Sequence, residues 1–334
     1  MADLPALPDG LGVRPLCPDD AAPVAALLAA AERVDETGEN FDADDLTEWW
    51  TGWQADLARD GVAVCDAAGL VVGYAVAFAP ASTRGDYRVY LEGRVDPERR
   101  GLGIGRTLLD WQLQRGAELH GERLPGSPGR LVVNVVETMP SLEGLVRRAG
   151  LTPERWYRDM QRTLDELPDP PAAPGVDLVP FTWDRDDEVR RAHNVAFAEH
   201  HGSGERDTAS WTALYTGQRA FRPDLSVLAV EDGAVVAYTL AYVYEADTRA
   251  TGRPETYFGQ IGVLPHARGR GLATAVIVEA LRAAAQAGCV SAGLGVDSEN
   301  VTGAMRLYEK LGFSTVRSQV AWSRTLAPVG ERRA

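Results

Sequence analysis

At 334 residues the chain is longer than one hydrophobic core ordinarily supports, so two domains are expected. Hydrophobic residues make up 45% and charged residues 25%, a balance that speaks for a globular chain and against a disordered or membrane one. A formal net charge of −14 repels a phosphate backbone and argues against nucleic acid as a partner, while leaving room for solubility or a cationic substrate.

No apolar run approaches the roughly 18 to 20 residues that span a bilayer. The first ten residues lack the basic and apolar regions of a signal peptide, so no membrane partner and a cytoplasmic location are expected. Cys17, Cys65 and Cys289 are scattered, without metal-ligand spacing, and read as small buried or half-buried side chains. No metal is expected. Oligomeric state is not legible.

The first half opens with a helical stretch from Asp19 to Arg33, followed by an aromatic-rich second helical region. Val62–Cys65 and Leu70–Ala77 alternate around a D-A-A-G turn and read as an antiparallel hairpin. The apolar strand Tyr87–Val95 then enters a glycine loop, R-R-G-L-G-I-G, at Arg99–Gly105. Near Asp165–Gly175 the run D-E-L-P-D-P-P-A-A-P-G cannot continue a helix or sheet, because proline lacks the amide donor and fixes φ. It is the expected linker.

Beyond it the same order returns: a helix over Asp184–His200, a hairpin of Ser226–Val230 and Ala234–Tyr242, and a strand over Thr256–Val263. Leu272, Val276, Ile277, Ala280, Leu281 and Ala284 recur at helical spacing, with Gly288 placed to end the helix. A buried strand over Val290–Val296 and a short helix over Val301–Leu311 follow. The repeat is arithmetical. Arg100, Gly103 and Gly105 match Arg268, Gly271 and Ala273 at an offset of 168, whereas Gly150 and the R-T-L of Arg162–Leu164 match Gly312 and Arg324–Leu326 at 162. The first copy therefore carries six extra residues, for which Glu122–Arg130 is the natural place.

The segment Gln260–Thr274, Q-I-G-V-L-P-H-A-R-G-R-G-L-A-T, turns a strand through glycines into a helix, a context that receives phosphate on exposed helix amides. Arg268 and Arg270 add full charges. Many strand-to-helix turns need glycine for steric reasons alone. A dinucleotide-binding unit would place this loop after an early parallel strand, with a carboxylate about 20 residues on, and neither holds here.

The stretch R-G-R-G-L-A resembles the acyl-CoA pyrophosphate loop of the GCN5-related N-acetyltransferase (GNAT) family, and V-D-S-E-N-V-T-G-A-M-R-L-Y-E-K-L-G-F, Val296–Phe313, resembles that family's second signature. The duplication is similar to that of tandem acetyltransferases of the mycothiol synthase type. The resemblance implies an α+β fold of two tandem GNAT-like domains, each a mixed, mostly antiparallel sheet flanked by helices. It places an N-terminal domain at 1–166, the Pro-rich linker at 167–175, and a catalytic C-terminal domain at 176–334. The implied activity is transfer of an acyl group, from acetyl-CoA as cosubstrate, to a small-molecule amine.

By the same resemblance Ile261, Gly262 and Val263 hold the pantetheine arm, and Arg268, Gly269, Arg270, Gly271, Leu272, Ala273 and Thr274 take the pyrophosphate. Arg100, Gly101, Gly103 and Gly105 do so in the first copy. Asn300 caps the last helix and faces the thioester, and Tyr308 protonates the departing thiolate. With ordinary pKa values of about 10 for tyrosine and about 8.5 for a thiol, that transfer is uphill by roughly 2 kcal/mol. The base is left open between Glu255, at the strand mouth, and a water chain; a solvated strand end is the plainer reading of Glu255. His193, His200, His201, Tyr242 and Tyr244 fall where the acceptor pocket forms, or are ordinary helix and strand residues. At the offset of 162, Val146 stands opposite Tyr308 and Thr138 opposite Asn300, while Glu92 stands opposite Gln260 at 168. A valine donates no proton, so the first domain is expected to be silent for this chemistry. A non-enzymatic acyl-CoA sensor, or acetylation of a protein amine, stands as the alternative.

Overall fold

The computed structural model describes residues 7–80, 85–198, 204–299 and 303–328. The chain divides into two compact units: Met1–Arg155 with Gln319–Ala334, and Trp156–Ser318. These are not the boundaries expected at 166 and 176. Each copy of the repeat ends in a strand that belongs to the other unit's sheet.

In the first unit β1 (Gly12–Pro15) is followed by α1 (Ala21–Asp35), α2 (Ala43–Gly52) and α3 (Leu57–Asp60). Then come β2 (Gly61–Cys65), β3 (Val71–Phe78), β4 (Tyr87–Val95), α4 (Ile104–Arg123), β5 (Gly129–Val136), α5 (Pro140–Arg148) and the start of β6 (Thr152–Thr163). Neighbours β1 to β4 pair antiparallel in chain order, β4 pairs parallel with β5, and β5 pairs antiparallel with residues 319–326 of β12 (Ser314–Leu326).

The second unit repeats this plan. It contains β7 (Asp177–Pro180), α6 (Asp186–Ala196), α7 (Thr208–Trp211), β8 (Val227–Glu231), β9 (Ala234–Tyr242), α8 (Glu245–Thr251), β10 (Glu255–Val263), α9 (Leu272–Gln286), β11 (Ser291–Asp297) and α10 (Ala304–Lys310). Strands β7 to β10 pair antiparallel in order, β10 pairs parallel with β11, and β11 pairs antiparallel with residues 157–163 of β6. Both sheets are mixed and mostly antiparallel, flanked by helices, as the fold class requires.

Each sheet is covered on two faces because its strands alternate apolar side chains between two clusters. In the second unit Val227, Ala229 and Phe258 join the α9–α10 core, and Leu228, Tyr238 and Leu240 join the α6–α7 core. On α9, Val276, Ile277, Ala280, Leu281 and Ala284 are fully buried, and Gly288, at φ +90°, ends the helix as its position implies. Helix α4 has 20 residues and α9 has 15, so most of the six extra residues extend a helix instead of forming a loop. Leu119 and His120 bury that extra turn, and His120 Nε2 lies 2.8 Å from the Ser127 carbonyl. The Pro-rich stretch lies wholly within the second unit. Leu167, Ala173 and Val176 pack on its core, and Arg282 donates to the Pro168 carbonyl at 3.4 Å, so the segment is a packed strap. Cys289 is buried and Cys65 half-buried, but Cys17 is exposed, contrary to expectation.

Candidate active site

In both units the glycine loop ends in a helix whose first turn is open. Gly269 and Gly271 both sit at φ +78°, Gly101 at +81° and Gly103 at +89°, a left-handed region that glycine enters without a Cβ penalty. A Cβ built on any of the four meets nothing within 4 Å. Side chains do not fill the turn. The first helical bond of α9 runs from the Ala275 amide to the Gly271 carbonyl, 3.0 Å, and that of α4 from Thr107 to Gly103, 3.1 Å. The amides of Leu272, Ala273 and Thr274, and of Ile104, Gly105 and Arg106, therefore have no acceptor within their helices. Among the described residues no side chain caps either end. Such an end attracts an anion through its amides and its dipole.

The loop arginines have other engagements. Arg268 donates to the carbonyls of Val263 (3.3 Å) and Ala196 (3.2 Å), and Arg270 forms a bidentate pair with Glu231 at 2.6 and 2.9 Å. In the first unit Arg100 likewise reaches the Val95 carbonyl at 3.2 Å and grips Asp35 of α1 at 2.6 and 2.7 Å. At matched positions, then, Arg268 and Arg100 each tie the end of a central strand to the end of the unit's first long helix. Each braces its loop, and the amides of the first helical turn keep no acceptor within their helix.

Beside each loop the parallel strand pair opens. Strand β10 pairs with β11 only from Glu255/Ser291 to Tyr257/Gly293, and β4 with β5 only from Tyr87/Gly129 to Tyr90/Val132. Beyond those points β4 and β10 each carry several residues with no partner on that side, so an extended chain of ligand can lie between the strands and use their free backbone groups. Ile261, Gly262 and Val263 lie on that stretch of β10. The two openings differ by one residue. In β10 the register with β9 slips between Phe258 and Gln260, making a bulge at Gly259, whereas β4 pairs with β3 without a slip. A Cβ at Gly259 would lie 2.7 Å from the Tyr242 ring, and one at Gly262 would lie 2.5 Å from the Tyr238 ring. Glycine at both places lets cross-strand tyrosines lie flat over β10.

Tyr308 lies in α10, 8% exposed, within the core that α9 covers, and its ring meets Phe313 edge-on at 6.2 Å. Burial pushes its hydroxyl up to about 12, so it stays protonated throughout the neutral range. The repeat offset is visible here as geometry. The Phe313 amide bonds the Tyr308 carbonyl at 3.0 Å, just as the Leu151 amide bonds that of Val146 at 3.1 Å. Val146, in α5, is fully buried.

Glu255 stands at the closed end of β10. Its carboxylate accepts hydrogen bonds from Ser291 Oγ, 2.7 Å, and from the Gln161 amide, on the paired side of the opening. His193 is buried in α6 with Nδ1 2.8 Å from the Tyr238 hydroxyl, so it belongs to the core. Tyr242 is buried too, and Tyr244 is half-buried, stacked on it at 6.3 Å and edge-on to Tyr257 at 6.3 Å. Asn300, His200 and His201 lie outside the described residues.

The first unit holds a cleft of about 970 Å³ between its parted strands, bordered by the glycine loop and α5. That volume suits a cofactor-sized ligand. Polar residues that motif reading did not single out as ligands line it, among them Glu92, Arg94, Arg106, Asn134 and Arg148. Only Glu92 had a signal, a carboxylate opposite the uncharged Gln260. Burial raises its carboxyl to about 7, with Arg94 partly opposing the shift and Glu39 adding to it. Among the described residues no group of three or more His, Cys, Asp and Glu side chains is arranged to hold a metal, and no helix is long and apolar enough to cross a membrane.

A glycine-shaped helix end beside a parted parallel strand pair, present in both units, defines an acetyltransferase-type fold in tandem. Residues 187–313 match the model of the acetyltransferase (GNAT) family. The chain is 32% identical over 315 residues to a mycothiol acetyltransferase of Frankia alni, covering 90% of each, and 29% identical to one of Rhodococcus jostii, covering 91% of this chain and 94% of that one. A GCN5-related N-acetyltransferase from Sphaerobacter thermophilus superposes with a TM-score of 0.77 at 26% identity, over 97% of this chain and 98% of that one. A tandem GNAT protein from the clavulanic acid biosynthesis pathway shares the fold at a TM-score of 0.67 and 19% identity, over 95% and 99% of the two chains. The chain belongs to the GNAT family and is an N-acetyltransferase. Acetyltransferases of this family use acetyl-CoA.

Proposed function

We propose that the chain transfers acetyl from acetyl-CoA to the amine of a small molecule, with the second unit as the site of this transfer and Tyr308 as its acid. The observation that carries this reading is the conjunction in one unit of an uncapped helix end at Gly271, a strand pair parted beyond Tyr257, and a buried tyrosine on the helix that follows β11. The diphosphate rests on the amides of Leu272, Ala273 and Thr274, and the pantetheine arm extends along Ile261–Val263. The amine attacks the thioester carbonyl carbon, the C–S bond breaks, and Tyr308 delivers a proton to the sulfur.

With the buried Tyr308 near 12 and a thiol at its aqueous value near 8.5, the gap of about 3.5 units would cost roughly 5 kcal/mol. The same apolar surroundings raise the thiolate's proton affinity and narrow that gap. Glu255, held at the closed end, takes no part, and the amine's proton leaves to water through the open end. The acceptor is a small amine because the curated relatives are mycothiol acetyltransferases along nearly their whole length. The first unit's loop, with Arg100, Gly101, Gly103 and Gly105, receives a second coenzyme A.

The test is coenzyme A release from acetyl-CoA with a metabolite extract, the product identified by mass. Tyr308→Phe should lower kcat by about 100-fold, the ordinary range for a general acid, and leave the affinity for acetyl-CoA within threefold. Undiminished turnover in Tyr308→Phe removes the acid from the mechanism.

A further inference from the structure

We propose that Tyr242 is a catalytic residue of the second unit: its hydroxyl donates a hydrogen bond to the carbonyl oxygen of the bound thioester and stabilises the oxyanion that forms when the amine attacks. The proposal rests on the reading that this unit holds acetyl-CoA along Ile261–Val263. It gives a task to a residue that motif reading left between pocket and core.

The bulge decides where the hydroxyl goes. Tyr242 of β9 stands opposite Tyr257, the last residue of β10 with a parallel partner in β11. Its ring crosses β10 over Gly259, where an added Cβ would lie 2.7 Å from Cε2 and 3.6 Å from Cζ, the carbon that bears the hydroxyl. Gly259 lies two residues past Tyr257, so the ring crosses at the level where β10 and β11 begin to part. With the diphosphate at Gly271 and the arm running from Val263 to Ile261, the thioester at the far end of the arm arrives at this same level.

The hydroxyl is free for that task. Tyr242 is 3% exposed, and its Oη has no hydrogen-bond partner among the described residues. A buried hydroxyl without a partner destabilises a fold, and phenylalanine would fill the same space without that penalty. Burial, with Tyr244 and Tyr215 adding to it, pushes the hydroxyl well above the ordinary tyrosine value, so it stays a donor and is no base. Phe221 at 5.7 Å and Tyr244, stacked at 6.3 Å, hold the ring, and the Val243 amide pins the end of β9 to the Ala220 carbonyl at 2.8 Å. A donor fixed in advance, away from water, stabilises developing charge without reorganising.

The first unit supplies the contrast. There Phe78 stands opposite Tyr90 as Tyr242 stands opposite Tyr257, and β4 has no bulge. Phe78 carries no hydroxyl, and its ring packs on Trp49, Trp53 and Tyr90 at 4.9 to 5.8 Å. The buried tyrosine of α10 and the buried tyrosine of β9 are present together in one unit and replaced together, by Val146 and Phe78, in the other.

In the reaction the amine lone pair forms the N–C bond and the carbonyl π pair moves onto oxygen, where the Tyr242 O–H holds it without giving up its proton. The pair returns, the C–S bond breaks, and sulfur leaves with its electrons and takes a proton from Tyr308. The amine's proton passes to water.

The experiment is isotope-edited infrared spectroscopy of acetyl-CoA, carrying 13C at the thioester carbonyl, bound to the wild-type chain and to Tyr242→Phe. Phenylalanine keeps the ring and removes no bond within the protein, so the variant should fold. A carbonyl band of the wild-type complex should move to higher frequency in Tyr242→Phe, where the hydrogen bond is gone. Coenzyme A release with the metabolite extract should fall about 100-fold at saturating acetyl-CoA, the range for one oxyanion donor, with affinity for acetyl-CoA within threefold by calorimetry. Release within threefold of wild type overturns the proposal. So does a band that does not move while release falls, which would place the hydroxyl on the amine. Tyr308→Phe should lose turnover and keep the band in place; if it loses nothing, the acid is wrong and the Tyr242 band still decides the donor. If no band moves while Gly271→Ala weakens acetyl-CoA binding, the cofactor reading stands and the donor alone falls; if neither responds, both fall.

Discussion

Replacing Glu92 by glutamine should make the first unit more stable in base and almost unchanged in acid. The carboxyl is raised from 4.5 to about 7 in the folded protein, chiefly by burial. Between those values the native state binds the proton more tightly than the unfolded chain, so stability falls as pH rises through this window. About 2.5 units at 1.36 kcal/mol each give a penalty of roughly 3 kcal/mol above pH 8, against less than about 1 kcal/mol at pH 5. Glutamine keeps the shape and cannot ionise. The assay is urea unfolding followed by tryptophan fluorescence at pH 5 and pH 8.5, since Trp49, Trp50, Trp53 and Trp111 all lie in the first unit. With a slope of about 2 kcal/mol per molar urea, the midpoint of that unit should move up by about 1 M more at pH 8.5 than at pH 5. Any packing change made by the amide itself cancels in the comparison of the two pH values. Equal shifts at both would refute a carboxyl raised chiefly by loss of solvent.

Two further substitutions separate backbone from charge at the second loop. Gly271→Ala puts a Cβ on a residue at φ +78°, a strain of about 1–2 kcal/mol that reshapes the open turn, so KM for acetyl-CoA should rise about tenfold; an unchanged KM argues against binding by the amides. Arg270→Ala breaks a partly exposed, solvent-screened pair with Glu231 and should change KM by less than threefold; a larger effect restores Arg270 as a phosphate ligand.

The glycine loops, the hairpins and the crossover helices were legible because each is dictated locally, by periodicity and by positive φ. The bulge at Gly259 was not, since neither of the two glycines among nine strand residues signals a bulge until the register with β9 is known. Gly126 and Pro128 point to a loop for the six extra residues, yet Leu119 and His120 find burial and prolong α4. The acid candidate Tyr308 was readable through its family signature, whereas Glu92 needed the cleft around it: a carboxylate in a strand becomes informative only when the solvent it has lost is known. The matching R-T-L segments were found correctly as repeats. Their partners were not, because pairing is non-local: Arg162 lies opposite Ala292 of β11, and Arg324 opposite Leu131 of β5.

That exchange of final strands sets an order on synthesis. Residues 156–318 are contiguous, so the later unit has every strand of its sheet once that stretch has emerged. The earlier one, though translated first, waits with the far edge of β5 open until Gln319–Leu326 appears. A ribosome that stalls after the Pro-rich strap therefore leaves an apolar strand edge waiting for a partner, and the half that begins first is the last to close.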